Sequence, residues 1–596
     1  MIDAVRSGSR RKAGGTLGAA SPASWRQTWV SGLRRNWLAT IFLVAGLVLR
    51  VLVQLAYRPA LFYQDTTRYL YHAGGNDPVG YRVPLRAILL VGNLDLVAVI
   101  QHLLGLAIAV ALYCLLVRRG VARWLAVLAI VPVLFDAYQL QLEQMVMPDV
   151  LFEALIVAGL VLLLWRPVIT WKVALAAGLM LGAAVPVRQV GEILVLPALC
   201  YVLLFTPGWR TKAARAVVLC AAFAVPFLAY CTTSYVVHGS FALSHTGVTT
   251  TYGRMAYAAD CSTLKLTAAQ RPLCPTPAQQ RLGPDGLLHD KRSPLKPVYR
   301  RLPHAHASAL VEGFNGRVIR QQPGRVLGAV GRDFAKLFAL TRDTAPGDDP
   351  ISRWQFQLHY PYMWPHASRH VLHVATHQFG GGKPAVWLPV ARFLRSYQLR
   401  GGYTPGPLLL ACLIGGAAAA LVALRRRLSA PRRELTRACF LIIVTAVSVL
   451  LVSDVFVYSW RYQLPALATL PAAGALALAC LPWRRLRVPA AMVSDGVDPG
   501  RHVVSVGDSG PTGGLEAGRG GLSGSGSSGG LGSSGAPDSS RRGRSSGSSA
   551  AGGSGHPGSA SRPERLPGRL RQPELLEGGP DRLGGSGRSD PAATAE

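Results

Sequence analysis

Four short segments carry charged and hydroxylated side chains that apolar helices do not need. FYQDTTRYL holds Asp65 among Tyr63, Gln64, Arg68 and Tyr69, and Asp77 follows in the same loop. LQLEQMVMPDVLFEALIVAGLVLLLW holds Glu143, Asp149 and Glu153, and the i,i+4 spacing puts Asp149 and Glu153 on one helix face. VPVRQVGEILVLP supplies Arg188 and Glu192, and SDVFVYSWRYQLPA supplies Asp454, Tyr458, Arg461 and Tyr462. A carboxylate can take the proton of an attacking hydroxyl, and a guanidinium can stabilise charge appearing on a departing phosphate. Together they fit transfer of a sugar away from a phosphate-linked lipid. Plainer readings stand beside this one. Asp65 can be a hydrated loop acid, and Asp149 a helix-end acid at the interface. Arg188 can pair with Glu192 or snorkel to headgroups, and the aromatics near 460 can be an interfacial belt.

These residues must be positioned by long apolar segments. Half of the 596 residues are hydrophobic and 16% are charged. Stretches of roughly 20 apolar residues cross a bilayer as helices, so the chain reads as an all-α polytopic membrane protein and a single soluble core is excluded. Ten spans are expected, at about 37–57, 94–117, 121–138, 145–165, 170–187, 190–206, 213–237, 405–424, 436–458 and 463–481. Residues 83–92 form a further short apolar piece of interfacial or re-entrant type. The net charge of +33 arises from 63 basic and 30 acidic residues. Much of that excess lies in short connections, so it reads as topology, and no nucleic-acid partner is expected.

The basic connections fall on alternate sides. Arg118, Arg119 and Arg123 are followed by Arg166 and Lys172, by Arg210, Lys212 and Arg215, and by the cluster from Arg425 to Arg437. The positive-inside rule then puts both termini in the cytoplasm of a multi-pass plasma-membrane protein. All four reactive segments share the opposite face. The expected organisation is a cytoplasmic segment at 1–36, seven spans and the first outer loop at 37–237, a large outer loop at 238–404, three spans at 405–481 and a tail at 482–596. Helices are expected near 309–339 and 385–399 inside the large loop. Cys261 and Cys274 are its only cysteines and can form a disulfide outside the cytoplasm or remain two thiols. In the tail, 27 of the 40 residues from 521 to 560 are Gly or Ser, a composition that cannot offset ordering entropy and reads as disordered.

FYQDTTRYL, MPDVLFEALIVAGLVLLL, VPVRQVGEILVLP and YSWRYQLPALATLPAAGALAL, in that order, resemble segments of GT-C type glycosyltransferases that use polyprenyl-phosphate sugars. The likeness is to the bacterial relatives of protein O-mannosyltransferases and lipid A aminoarabinose transferases, over about residues 37–481. It implies a GT-C-like bundle, with a polyprenyl-phosphate sugar as donor and an unidentified acceptor on the outer side. By this resemblance Asp65 is the first-loop acid that acts as base, and Asp149 stands where the family has an acid in a Ser-Glu-Pro-like motif. Arg188, Arg461 and Tyr462 stand where the family contacts donor phosphate, while Asp77, Glu143 and Glu153 are candidates to line the cavity. Thr66 and Thr67, not a second acid, follow Asp65, so this loop lacks the carboxylate pair of a metal site. His366, His370, His373 and His377 share helical spacing, yet no neighbouring carboxylate completes a ligand set. Metal and other cofactors are therefore left open, a divalent cation being compatible but not indicated. A transporter of a polar or anionic solute is the alternative function, and it would place charges near mid-membrane rather than at one edge.

Overall fold

The computed structural model describes Gly32 and residues 34–63, 65–71, 80–244, 247–360, 365–425 and 428–481. The chain divides into two units, Met1–Asp495 and Gly496–Glu596, and every described residue belongs to the first. Asp77, most of the 1–36 segment and all of the 482–596 tail lie outside the described residues.

Every expected span contains a helix. In order these are α1 (Trp37–Ala56), α2 (Thr66–Tyr71) and α3 (Arg82–Val91) around the first loop, then α4 (Leu94–Arg118), α5 (Arg123–Phe135), α6 (Ala137–Gln144), α7 (Asp149–Leu164) and α8 (Trp171–Ala183). A 3-10 turn at Gln189–Leu194 leads into α9 (Val195–Phe205), and α10 (Trp209–His238) follows. Six described helices are long and apolar enough to cross a membrane singly, and α5 with α6 makes a seventh crossing bent by 49°. The rest of the ten expected spans are shorter helices, so the protein is a multi-pass membrane protein with fewer full-length crossings than apolar helical segments. The α5–α6 bend falls at Asp136, whose carboxylate caps α6 by accepting from the Tyr138 amide at 3.0 Å. Glu143, expected in a short outer turn between the third and fourth spans, instead lies in the fully buried helix formed by residues 137–144.

The bundle closes where small residues let helices approach. A Cβ added to Gly178 of α8 would sit 2.8 Å from the Ala222 Cβ of α10, so α8 and α10 pack backbone to backbone. Three Arg-rich connections meet at one end. Arg119 donates to the Leu164 carbonyl at 2.6 Å and pairs with Glu434 at 2.9 Å.

The large loop carries its own helices: α11 (Gly247–Ala258), α12 (Pro277–Gln280), α13 (Gly283–His289), α14 (Leu295–Arg301), α15 (His304–Gln321), α16 (Pro323–Lys336), α17 (Pro365–Phe379) and α18 (Leu388–Leu399). The helix expected across 309–339 is broken in two because Pro323 has no N–H to continue α15 and instead opens α16. Met255, Leu273, Leu287, Val311 and Phe314 form a separate buried core here. A disulfide joins Cys261 to Cys274 beside that core. Replacing both cysteines by alanine is expected to cost the loop about 2–4 kcal/mol, measured as earlier proteolysis of the loop. A two-residue antiparallel pairing of β1 (Tyr57–Arg58) with β2 (Ala385–Val386) ties the end of α1 to the loop. α19 (Gly406–Ala423), α20 (Ala430–Phe456) and α21 (Leu464–Cys480) complete the bundle.

Candidate active site

The apolar helices end so that four distant segments meet. Asp65 precedes α2, Asp149 opens α7, Arg188 precedes the 3-10 turn after α8, and Arg461 lies in the 3-10 turn Trp460–Gln463 before α21. Arg461 Nη1 donates to Asp65 Oδ2 at 3.0 Å, and its Nε lies 3.5 Å from Asp149 Oδ1. Asp149 Oδ1 also accepts from Arg188 Nη1. Tyr462 packs against both cations, its ring centroid 4.4 Å from the Arg188 guanidinium carbon and 4.9 Å from that of Arg461. The result is an alternating string of charges: Asp65, Arg461, Asp149, Arg188.

Burial differs along the string. The Asp149 side chain is 1% exposed and held between two guanidinium groups, whereas that of Asp65 is 21% exposed and meets Arg461 at one edge. Arg68 lies 3.9 Å from the other Asp65 oxygen. Asp149 Oδ2 and Arg461 Nε are buried without a hydrogen-bond partner among the described residues. A guanidinium has five N–H donors, and the contacts of Arg188 and Arg461 leave donors for an incoming anion.

Aromatic side chains surround Arg461. The Tyr63 and Trp354 rings lie with centroids 4.8 Å apart, tilted by 35°, and both are within 6 Å of the Arg461 guanidinium carbon. Burial, reinforced by the Asp65 charge, holds the Tyr69 phenol well above its ordinary range, so it stays protonated beside the acids.

No family model matches the chain, and no curated protein matches it. Among solved structures the chain is similar to the S. cerevisiae protein O-mannosyltransferase Pmt1-Pmt2 complex bound to the sugar donor, at 19% identity and a TM-score of 0.29. The overlap covers 40% of this chain and 37% of that one. A likeness of this extent carries no chemical inference, and the functional reading rests on the pocket itself.

Other sequence candidates lie elsewhere. Glu143 sits in a dry network: it accepts from Arg50 at 2.7 Å, from Gln139 at 3.1 Å, and lies 2.8 Å from His102 Nδ1. Glu153 is fully buried one turn below Asp149 and accepts from the same Gln139 amide at 2.9 Å. Gln139 therefore links the two acids. Asp136 pairs with Arg342 at 2.8 Å and accepts from the Thr404 amide at 2.8 Å, which fastens the large loop to the bundle. Glu192 is exposed, and Arg188 pairs with Asp149 instead. Among the described residues no group of three His, Cys, Asp or Glu is arranged to hold a metal ion, and the side chains of His366 and His370 are outside the described set. Two apolar cavities, about 460 Å³ each, lie against α19 and α21, one of them also against α5, and neither is lined by Asp65.

Three contributors lie outside the four motif segments. Trp354 comes from a Pro-rich loop without periodicity. Asp349 fixes it, accepting from Trp354 Nε1 at 3.1 Å and from Ser459 Oγ at 3.0 Å, two residues before Arg461. Burial pushes the Asp349 carboxyl upward, and Arg353 opposes this. Arg50 is the third, and here a signal exists: an arginine in the middle of the first apolar run demands a buried partner.

Proposed function

We propose that this protein transfers a sugar from a polyprenyl-phosphate donor to an acceptor on the outer side of the plasma membrane, with inversion at the sugar carbon. The observation that carries the proposal is the string Asp65–Arg461–Asp149–Arg188 assembled from four separated segments at one end of the bundle. Asp65 is the more solvent-accessible acid and serves as general base. Arg461 and Arg188 hold the donor phosphate, with Tyr462 fixing their planes. Asp149 keeps the two cations apart and aligned.

The step balances as follows. The acceptor hydroxyl oxygen bonds to the anomeric carbon as the bond from that carbon to the phosphate oxygen breaks. The hydroxyl proton passes to Asp65. The bond pair leaves with polyprenyl phosphate, whose added negative charge is met by the two guanidinium groups. The arginine-rich connections at the opposite end put the reacting end outside the cytoplasm, under the positive-inside rule. A nucleotide sugar would be on the wrong side of the membrane for this pocket.

The reading is tested by product stereochemistry in protein-containing vesicles. Supplied with a polyprenyl-phosphate sugar, the protein is expected to give a product of inverted anomeric configuration and to ignore the matching nucleotide sugar. Retention of configuration, or use of the nucleotide sugar alone, would contradict it. Arg461→Ala is expected to lower kcat/KM for the donor about 10–100-fold, chiefly through KM, in donor titrations at saturating acceptor. An unchanged donor dependence would remove Arg461 from phosphate contact.

A further inference from the structure

Arg432 lies at the arginine-rich end of the bundle, away from the reacting pocket. Its side chain is exposed, and no carboxylate among the described residues pairs with it. It lines one of the apolar cavities, about 460 Å³, together with Thr436 and the facing surfaces of α19 and α21. Gly415, Ala418, Gly474 and Ala477 form much of the wall. Both helices are long and apolar enough to cross a membrane, so a lipid chain can reach a groove between them. A groove of this kind offers an apolar bed and, among the described residues, an exposed cation at its mouth with no carboxylate partner. Neutral lipid uses only the bed, whereas an anionic lipid uses both.

We propose that this groove binds an anionic glycerophospholipid, with its phosphate on Arg432 and one acyl chain along Gly415, Ala418, Gly474 and Ala477. Charge complementarity selects the occupant: a bound phosphate supplies an anion that no described carboxylate supplies to Arg432. Donor polyprenyl phosphate is disfavoured there, because a phosphate on Arg432 sits at the end of the bundle opposite Arg188 and Arg461. The small wall residues are also a packing requirement. A Cβ on Gly474 would press within 2.6 Å of the Cys412 sulfur, so α19 and α21 cannot close over the groove by enlarging that position. Gly415 differs, since a Cβ there meets only the Ala477 Cβ at 3.8 Å. A larger residue at 415 therefore fills the groove without forcing the helices apart.

The test uses the full chain in neutral detergent, titrated with dioleoylphosphatidylglycerol or dioleoylphosphatidylcholine. Melting temperature and native mass spectrometry provide the readouts. The wild type is expected to bind phosphatidylglycerol about tenfold or more tightly than phosphatidylcholine. Arg432→Gln should abolish that preference, and Gly415→Leu should abolish tight retention of either lipid. Arg432→Gln changes an exposed side chain and so decides the matter even if Gly415→Leu fails to fold. Equal binding of the two lipids by the wild type, an undiminished preference in Arg432→Gln, or displacement of phosphatidylglycerol by equimolar polyprenyl phosphate would overturn the proposal. The test involves no sugar transfer, so its outcome is separate from that of the proposed reaction.

Discussion

Asp65→Asn is expected to lower sugar transfer by about 10²–10⁴-fold, the usual contribution of a positioned general base. Asparagine keeps the size of the side chain and can still accept a hydrogen bond from Arg461, now 3.0 Å from Asp65 Oδ2. It cannot take up the acceptor proton. Abundance and membrane insertion should therefore match the wild type, and donor KM should change little, because the phosphate contacts belong to Arg188 and Arg461. Initial rates at saturating donor, normalised to protein in the membrane, check this. Asp149→Asn gives the contrast. Asp149 lies between two guanidinium groups and is nearly inaccessible, so its loss should disturb donor binding as well as rate. A normal rate in Asp65→Asn would move the base role away from Asp65.

Arg50→Met should be the most destabilising single change in the bundle core. Arg50 is 1% exposed and donates to Glu143 Oε1 at 2.7 Å, to the Val133 carbonyl at 2.9 Å and to the Leu134 carbonyl at 3.1 Å. These bonds join α1 to α5 and α6 beside the Asp136 bend. Methionine fills part of the volume but leaves Glu143 buried with only His102 and Gln139 as side-chain partners. Breaking one partner out of a buried pair costs about 3–5 kcal/mol, most of it from the stranded charge. The expected loss is on that scale, measured by thermal or denaturant unfolding in detergent. Arg50→Met combined with Glu143→Gln should lose less than Arg50→Met alone, because the stranded charge is gone. Equal losses in the single and double variants would show that the guanidinium acts through packing and the carbonyl contacts instead.

These two outcomes separate what the sequence made legible from what it hid. Long apolar runs revealed the six described helices that are long enough to cross a membrane singly, since burial in lipid forces each span to satisfy its own backbone. Short polar motifs at their ends picked out Asp65, Asp149, Arg188, Arg461 and Tyr462, which the fold brings into contact. The same motifs gave no sign of which acid each arginine meets. Glu192, four residues from Arg188, was the local partner, yet the three-dimensional partner is Asp149 from a different helix. Glu143 looked like an outer-turn acid because residues 137–144 lack a long apolar run. Their burial comes from tertiary packing against α1 and α4, which no local pattern encodes. Trp354 and Asp349 were hidden for a related reason. They reach the pocket through a loop segment that packs Trp354 and Phe356 into the bundle core and is held by fastenings such as Arg342–Asp136.

The central claim is that lipid-linked sugar is consumed in the pocket containing Asp65 and Arg461. The most direct measurement follows radiolabel from a panel of polyprenyl-phosphate sugars into acceptor, in membranes with and without this protein. Label should move from at least one donor only when the protein is present, with polyprenyl phosphate released in equal amount and the transfer lost in Asp65→Asn. Identical label distribution with and without the protein across the panel, or full transfer by Asp65→Asn, would contradict the account.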